Sequence, residues 1–212
     1  RVIRVSQLYP EARIRLDANG GFSVDQAIAI AAMMLENGIK LDYFEQPCAT
    51  IGELAEMRVK IRRYSDSIKI AADESVRKVS DPLAVAQAGA ADLLVIKAAP
   101  LGGMRRALEV AAEAGLPVVI SSALDTSVGI SMGLHLAGAL PELSYDCGLG
   151  TAAMSKSSCL AVWPGVPCGA HGVCNESSHW CVCVEPGWGS SNEFAVLRAS
   201  GITCDYNLGF AW

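Results

Sequence analysis

The sequence predicts an α/β fold, a partial (β/α)8 TIM barrel of parallel strands, followed by a small disulfide-rich β module. Three observations lead there. Short apolar runs alternate with helical patterns up to about residue 150, and the cysteines crowd into the remainder. The runs are near-continuous rather than alternating, as expected of strands covered on both faces. Polar residues close these runs at even intervals. Asp17 to Glu45 is the same distance along the chain as Glu45 to Asp73, and Asp73 to Lys97 the same as Lys97 to Ser121.

The candidate strands are "RIRLD" (13–17), "LDYFEQ" (41–46), "IKIAAD" (68–73), "DLLVIK" (92–97), "PVVISSA" (117–123) and "LSYDCG" (143–148). Helical patterns lie between them. "SVDQAIAIAAMMLENG" offers Ser23 as N-cap and Gly38 as stop. "TIGELAEMRVKIRRY" places Thr50 and Glu53 at capping-box spacing. "SDPLAVAQAGA" carries Pro82 in its first turn. "GGMRRALEVAAEAGLP" ends in Gly115 and Pro117, and "TSVGISMGLHLAGALP" completes the set. Strand then helix, repeated five times with a closing strand, implies a parallel sheet with right-handed crossovers. In a barrel the strand ends share one rim, where chemistry sits.

Composition narrows the function. The chain has 212 residues, 51% of them hydrophobic, enough to bury a core. A net charge of -5 leaves no basic footprint for nucleic acid or anionic lipid. No apolar run reaches the roughly 20 residues of a membrane span. The opening "RVIRVSQLYP" does not read as a signal peptide.

Three acids at neighbouring strand ends, Asp17, Glu45 and Asp73, would repel one another strongly. A hard divalent cation resolves that repulsion, and Mg2+ suits an all-oxygen site that keeps waters. Singly, each acid reads as a solvated loop residue; in phase with successive strand ends, they read as a set. Lys97 alone reads as a surface lysine with a buried stem. Beside a metal, it can move protons or stabilise an anion. Metal plus lysine suits removal of a proton next to a carboxylate.

The stretches "RLDANGGFSVDQA", "YFEQPCAT", "AADESVRKVSDP", "VIKAAPLGGMRRALEVAAEAGLPVVISSALDTSVG" and "LPELSYDCGLGTA" resemble the catalytic domain of the o-succinylbenzoate synthases. These are enolase-superfamily enzymes with a muconate-lactonizing-like barrel, and the likeness is to the actinobacterial type of menaquinone biosynthesis. It covers about residues 1–153. The resemblance implies a Mg2+-dependent carbon–oxygen lyase that dehydrates a small-molecule carboxylate through an enediolate. It implies Mg2+ on Asp17, Glu45 and Asp73, a catalytic cation at Lys97, substrate-carboxylate binding around Ser121 and Ser122, and Asn19 near the metal. It also implies a capping domain and two earlier strands, the second bearing a Lys-x-Lys pair with the general base. This chain opens in the helix after that strand. Low turnover by this chain alone is therefore expected, as is homo-oligomer formation through exposed sheet edges.

The composition changes class near residue 155, with "SKSS" (155–158) as a linker between residues 1–154 and 159–212. The tail holds Cys159, Cys168, Cys174, Cys181, Cys183 and Cys204, and with "EPGW" it resembles an epidermal-growth-factor-like module. That resemblance implies the pairs Cys159–Cys174, Cys168–Cys181 and Cys183–Cys204; the tail lacks the acidic D-x-D/N-E opening of the calcium-binding modules, so no Ca2+ is expected there. The residues alone leave open a zinc site on His171, His179, Cys181 and Cys183, although the spacing matches no common finger. The barrel part reads as cytoplasmic or plastid, and the tail, with its "NES" sequon, as extracellular. The alternative function is thus a secreted binding or adhesion protein carrying a non-catalytic barrel fragment, or a chimeric gene product.

Overall fold

The computed structural model describes residues 1–123, 125 and 127–151, and the backbone of four short strands at 172–175, 180–183, 204–205 and 209–210. Helix α1 (Val2–Leu8) is followed by β1 (Ile14–Asp17), α2 (Val24–Glu36), β2 (Leu41–Glu45), α3 (Ile51–Arg62) and β3 (Ile70–Ala72). A 3-10 turn (Glu74–Val76) leads to α4 (Asp81–Gln87), β4 (Leu93–Ile96), α5 (Met104–Ala114), β5 (Val118–Ile120) and α6 (Ser127–Ala139). Strands β1 to β5 form one sheet in chain order, and the β1–β2, β2–β3 and β3–β4 ladders are parallel. Helices between successive parallel neighbours are what a βα repeat requires.

Local signals set the helix ends. Ser23 accepts from the Gln26 amide while the Gln26 side chain accepts from the Ser23 amide, closing a capping box on α2. Thr50 and Glu53 do the same for α3. Each box satisfies two amides that a helix start otherwise leaves unpaired. Gly38, at φ +67, turns the chain out of α2.

The described chain divides into two compact units, one of residues Arg1–Val95 with Val110–Pro117, the other of Ile96–Glu109 with Val118–Trp212. In the first, Ala27, Ala31 and Met34 of α2, Leu54, Met57 and Ile61 of α3, and Phe44 and Ile70 of the strands are buried. Phe22 meets Phe44 edge-on, ring centroids 6.4 Å apart. At the start of β3 and β4, Asp92 accepts from Arg58, from Arg62 and from the Ile70 amide. That single carboxylate ties the entry of β4 to α3, 34 residues earlier at Arg58, and to the first residue of β3. In the second unit, Ile96, Leu101, Val119, Ile120, Ile130, Leu134 and Leu149 are buried.

Three expectations change. The run 117–123 is a strand only over Val118–Ile120. The run 68–73 is a strand only over Ile70–Ala72, because Asp73 leaves the ladder and opens the 3-10 turn. The run 143–148 is not a strand. Only Gly148 bridges to Ser121, through Gly148 N–H to Ile120 O at 2.7 Å and Ser122 N–H to Gly148 O at 3.0 Å. Two bonds around one residue do not extend into a ladder.

Two antiparallel ladders follow, β6 (Gly172–Asn175) with β7 (Trp180–Cys183) and β8 (Cys204–Asp205) with β9 (Gly209–Phe210). Cys159 and Cys168 lie outside the described residues, as do the side chains of Cys174, Cys181, Cys183 and Cys204, so the expected disulfides fall outside them too. So do the alternative zinc ligands. Among the described residues, no helix is long and apolar enough to cross a membrane.

Candidate functional site

In the first unit, Asp17 closes β1 and Glu45 closes β2, and the two are Cα partners at the last rung of a parallel ladder. Parallel register without a crossover slip at this end puts both carboxylates at the same level of the sheet edge. Asp17 is exposed, and its two oxygens accept from Asn19, Oδ1 from the amide at 2.9 Å and Oδ2 from Nδ2 at 2.8 Å. Asn19 reaches this pose at φ +45, in the left-handed region that asparagine tolerates better than most residues. Gly20 follows at φ +72, and a Cβ there would meet the Ala49 Cα at 3.2 Å. The turn therefore requires glycine for both conformation and space.

The loop after Asp17 is stitched to the turn after Glu45. Ala18 N–H donates to Glu45 O at 3.1 Å, Gly20 N–H to Gln46 O at 2.7 Å, and Phe22 N–H to Pro47 O at 3.1 Å. Asp73 follows β3 and is 3% exposed. Its amide donates to the Gln46 side chain at 2.9 Å, and its Oδ2 lies 3.3 Å from the Arg77 guanidinium. The same Arg77 nitrogen lies 3.1 Å from Glu74 Oε1, which is also 3.4 Å from Asn19 Nδ2. The other Glu74 oxygen, Oε2, is buried and has no hydrogen-bond partner.

In the second unit, Lys97 directly follows β4 and is half-buried. Ser121 directly follows β5; its amide donates to Ile96 O at 2.9 Å and its hydroxyl to Gly148 O at 3.3 Å. Ser122 is buried, with its hydroxyl 3.2 Å from Gly148 O and 2.7 Å from the Thr151 hydroxyl. A Cβ on Gly148 would sit 3.2 Å from the Ser121 hydroxyl, so glycine leaves that serine room.

The donor chemistry of the first unit fits a hard cation: three carboxylates at or just beyond the ends of adjacent strands, with a buried, unpartnered carboxylate oxygen on Glu74 beside them. The gathering is partial. Asp17 and Glu45 are brought into register, whereas Asp73 engages Arg77. Among the described residues, no three acidic, histidine or cysteine side chains stand close enough to enclose a metal as they are. Sequence reasoning missed Gln46, Glu74, Arg77 and Thr151. Gln46 and Glu74 are chain neighbours of two predicted ligands, in "FEQP" and "ADES", and adjacency was the available signal.

With this geometry in view, the chain can be set beside known proteins. A family profile described as Enolase C-terminal domain-like matches residues 1–173, and the chain belongs to that family. It is 51% identical over 164 residues to the o-succinylbenzoate synthase of Mycolicibacterium smegmatis, covering 73% of this chain and 49% of that one. It is 56% identical over 151 residues to the o-succinylbenzoate synthase of Mycobacterium ulcerans, covering 71% and 44%. The fold is similar to muconate lactonizing enzyme from Pseudomonas putida, with TM-score 0.61 and 27% identity over 71% of this chain and 41% of that chain. The chain thus spans about half the length of the curated relatives it matches.

Proposed function

We propose that this chain belongs to an o-succinylbenzoate synthase-like lyase, which removes a proton next to a substrate carboxylate and expels water. The observation that carries the reading is the pairing of Asp17 with Glu45 at the end of a parallel ladder, in a chain 51–56% identical to two proteins of that name. Asp17, Glu45 and Asp73 would hold Mg2+. When bound, the ion supplies positive charge to an oxyanion developing on the substrate.

The chain's own residues have distinct tasks. Asn19 fixes the Asp17 carboxylate through both oxygens, which leaves its remaining lone pairs in a set direction. Lys97 serves as a fixed cation for negative charge on the substrate. Ser121 and Ser122 would turn their hydroxyl protons from Gly148 O to a substrate carboxylate, and Thr151 meets the Ser122 hydroxyl at 2.7 Å. The base that takes the proton is assigned to none of these residues; the family resemblance assigns it to a Lys-x-Lys strand.

Two experiments test the reading. Calorimetric titration of Mg2+ into the wild-type chain and Asp73→Ala should give uptake in the first and a loss of at least tenfold in affinity in the second; equal heats would end the metal assignment. Aromatisation of the substrate by the 212-residue chain with Mg2+ should be far below that of a full-length relative. Robust turnover lost in Lys97→Ala would show that this chain carries its own base.

The antiparallel ladders of the tail favour a separate reading for residues 159–212, a small disulfide-rich β module of binding or adhesion type. Thiol counting after purification from an oxidising compartment tests it, since six reactive tail thiols would rule out the disulfides.

A further inference from the structure

The geometry points to Gln46 as the positioning residue that sets the three acid-bearing turns in one arrangement. Its functional consequence rests on the metal reading above; its structural content does not. Gln46 is wholly buried and sits at φ +34, a left-handed conformation for a residue with a side chain. Such a conformation persists where the surroundings over-determine it.

The surroundings are these. The Gln46 amide donates to Ala71 O at 2.8 Å, which holds the turn to β3. Its carbonyl accepts from Gly20 at 2.7 Å, which holds the loop that carries Asp17. Its side-chain Oε1 accepts from the Asp73 amide at 2.9 Å and from the Ser75 amide at 3.2 Å. Its Nε2 donates to Cys48 O at 2.9 Å and to the Ser75 hydroxyl at 2.7 Å. A primary amide offers two acceptor sites and two donors, and all four are used. The orientation is unambiguous, because two backbone N–H groups face the oxygen and a backbone carbonyl faces the nitrogen. One residue therefore touches the turn after each acid: the Asp17 loop through its carbonyl, the Glu45 turn as its own backbone, and the Asp73 turn through its amide oxygen.

This explains why glutamine stands there rather than glutamate. A carboxylate would set an acceptor against Cys48 O and add buried negative charge beside Glu45 and Asp73, which costs heavily where nothing neutralises it. A shorter or apolar residue would leave the Asp73 and Ser75 amides without their acceptor.

The test uses the metal-free chain and two variants, Gln46→Met, which keeps the side-chain length but removes the acceptor of the Asp73 and Ser75 amides, and, as a control for general destabilisation, Met57→Ala. Met57 is fully buried on α3 and makes none of these bonds. Hydrogen exchange read by NMR should show Asp73 and Ser75 amides at least tenfold less protected in Gln46→Met, relative to the Phe44 amide in the β2–β3 ladder. In Met57→Ala that ratio should stay at the wild-type value. An unchanged ratio in Gln46→Met, or the same change in both variants, would overturn the proposal. Titration with Mg2+ alone is the second measurement. Gln46→Met should lose at least tenfold in affinity and Met57→Ala none; equal affinity in wild type and Gln46→Met would also overturn it. If the wild type takes up no Mg2+, the metal reading falls, and the exchange ratio by itself decides the role of Gln46.

Discussion

Arg58 grips Asp92 with two nitrogens on one oxygen, Nε at 3.0 Å and Nη2 at 2.8 Å, while Arg62 and the Ile70 amide take the other oxygen. The Asp92 side chain is 11% exposed and the two arginines 31% and 21%, so the cluster is shielded on the acid side and partly solvated on the other. It sits where β3 and β4 begin, away from the strand ends that carry the acids. We expect Asp92→Ala to cost about 2–3 kcal/mol, below the full value for breaking a buried pair because the arginines can reach water. Urea unfolding measures it. A loss under about 0.5 kcal/mol, the scale of an ordinary surface pair, would show that the clamp is ornamental.

The same cluster sets a pH dependence. Burial by itself raises the Asp92 carboxyl pKa, but hydrogen bonds from Arg58, Arg62 and the Ile70 amide, with the Arg58 charge, outweigh it and hold the group below its usual value of 3.8. A depressed folded-state value means the unfolded chain binds the proton more readily. The stabilisation is therefore complete above the ordinary carboxylate range and is lost as pH falls through the lowered value. Stability measured from pH 6 down to pH 2 should fall more steeply in wild type than in Asp92→Asn, which has no such group to titrate. Parallel curves would contradict the assignment.

Gly20→Ala should loosen the Asp17 turn. The substitution meets both an unfavourable φ of +72 and a backbone contact at 3.2 Å that no side-chain rotation relieves. A cost of about 1–3 kcal/mol is expected, accompanied by weaker Mg2+ uptake. Gly38→Ala shares the positive φ, at +67, but meets nothing within 4 Å, and should cost less and leave Mg2+ uptake alone. Paired thermal melts and titrations separate the two.

The helix caps give a third comparison. Thr50→Ala removes the acceptor for the Glu53 amide, and it also strips the Glu53 carboxylate of its hydroxyl partner. About 1 kcal/mol is expected, with no effect on Mg2+ affinity, since the cap acts at the start of α3. A large loss of affinity would mean that the turn between Glu45 and Thr50 is less independently held than its bonds indicate.

Cys48 lies in the turn after Glu45, fully buried. Burial pushes its thiol up to about 11, and the charges of Glu53 and Glu56 add to the shift. Thiolate is the reactive form, so iodoacetamide at pH 8 should leave Cys48 unmodified in the native chain while reaching the partly exposed Cys147. Peptide mapping reads both sites in one sample. Equal labelling would mean that the turn opens readily.

Much of this protein is written in short windows of its sequence. The five parallel strands, the capping boxes at Ser23 and Thr50, and the glycine that ends α2 all follow from periodicity, turn residues and donor–acceptor spacing within a few positions. The strand-end positions of Asp17 and Glu45 were legible for the same reason. What only the tertiary structure decided is how residues far apart in the chain satisfy one another. Asp73 steps out of its ladder and gives its amide to the Gln46 side chain, Asp92 collects Arg58 and Arg62, and the Gln46 amide spends all four of its hydrogen-bonding sites around the three turns. A residue's type states how many bonds it can make. Which groups it bonds depends on register, burial and packing, and those exist only once the strands have come together.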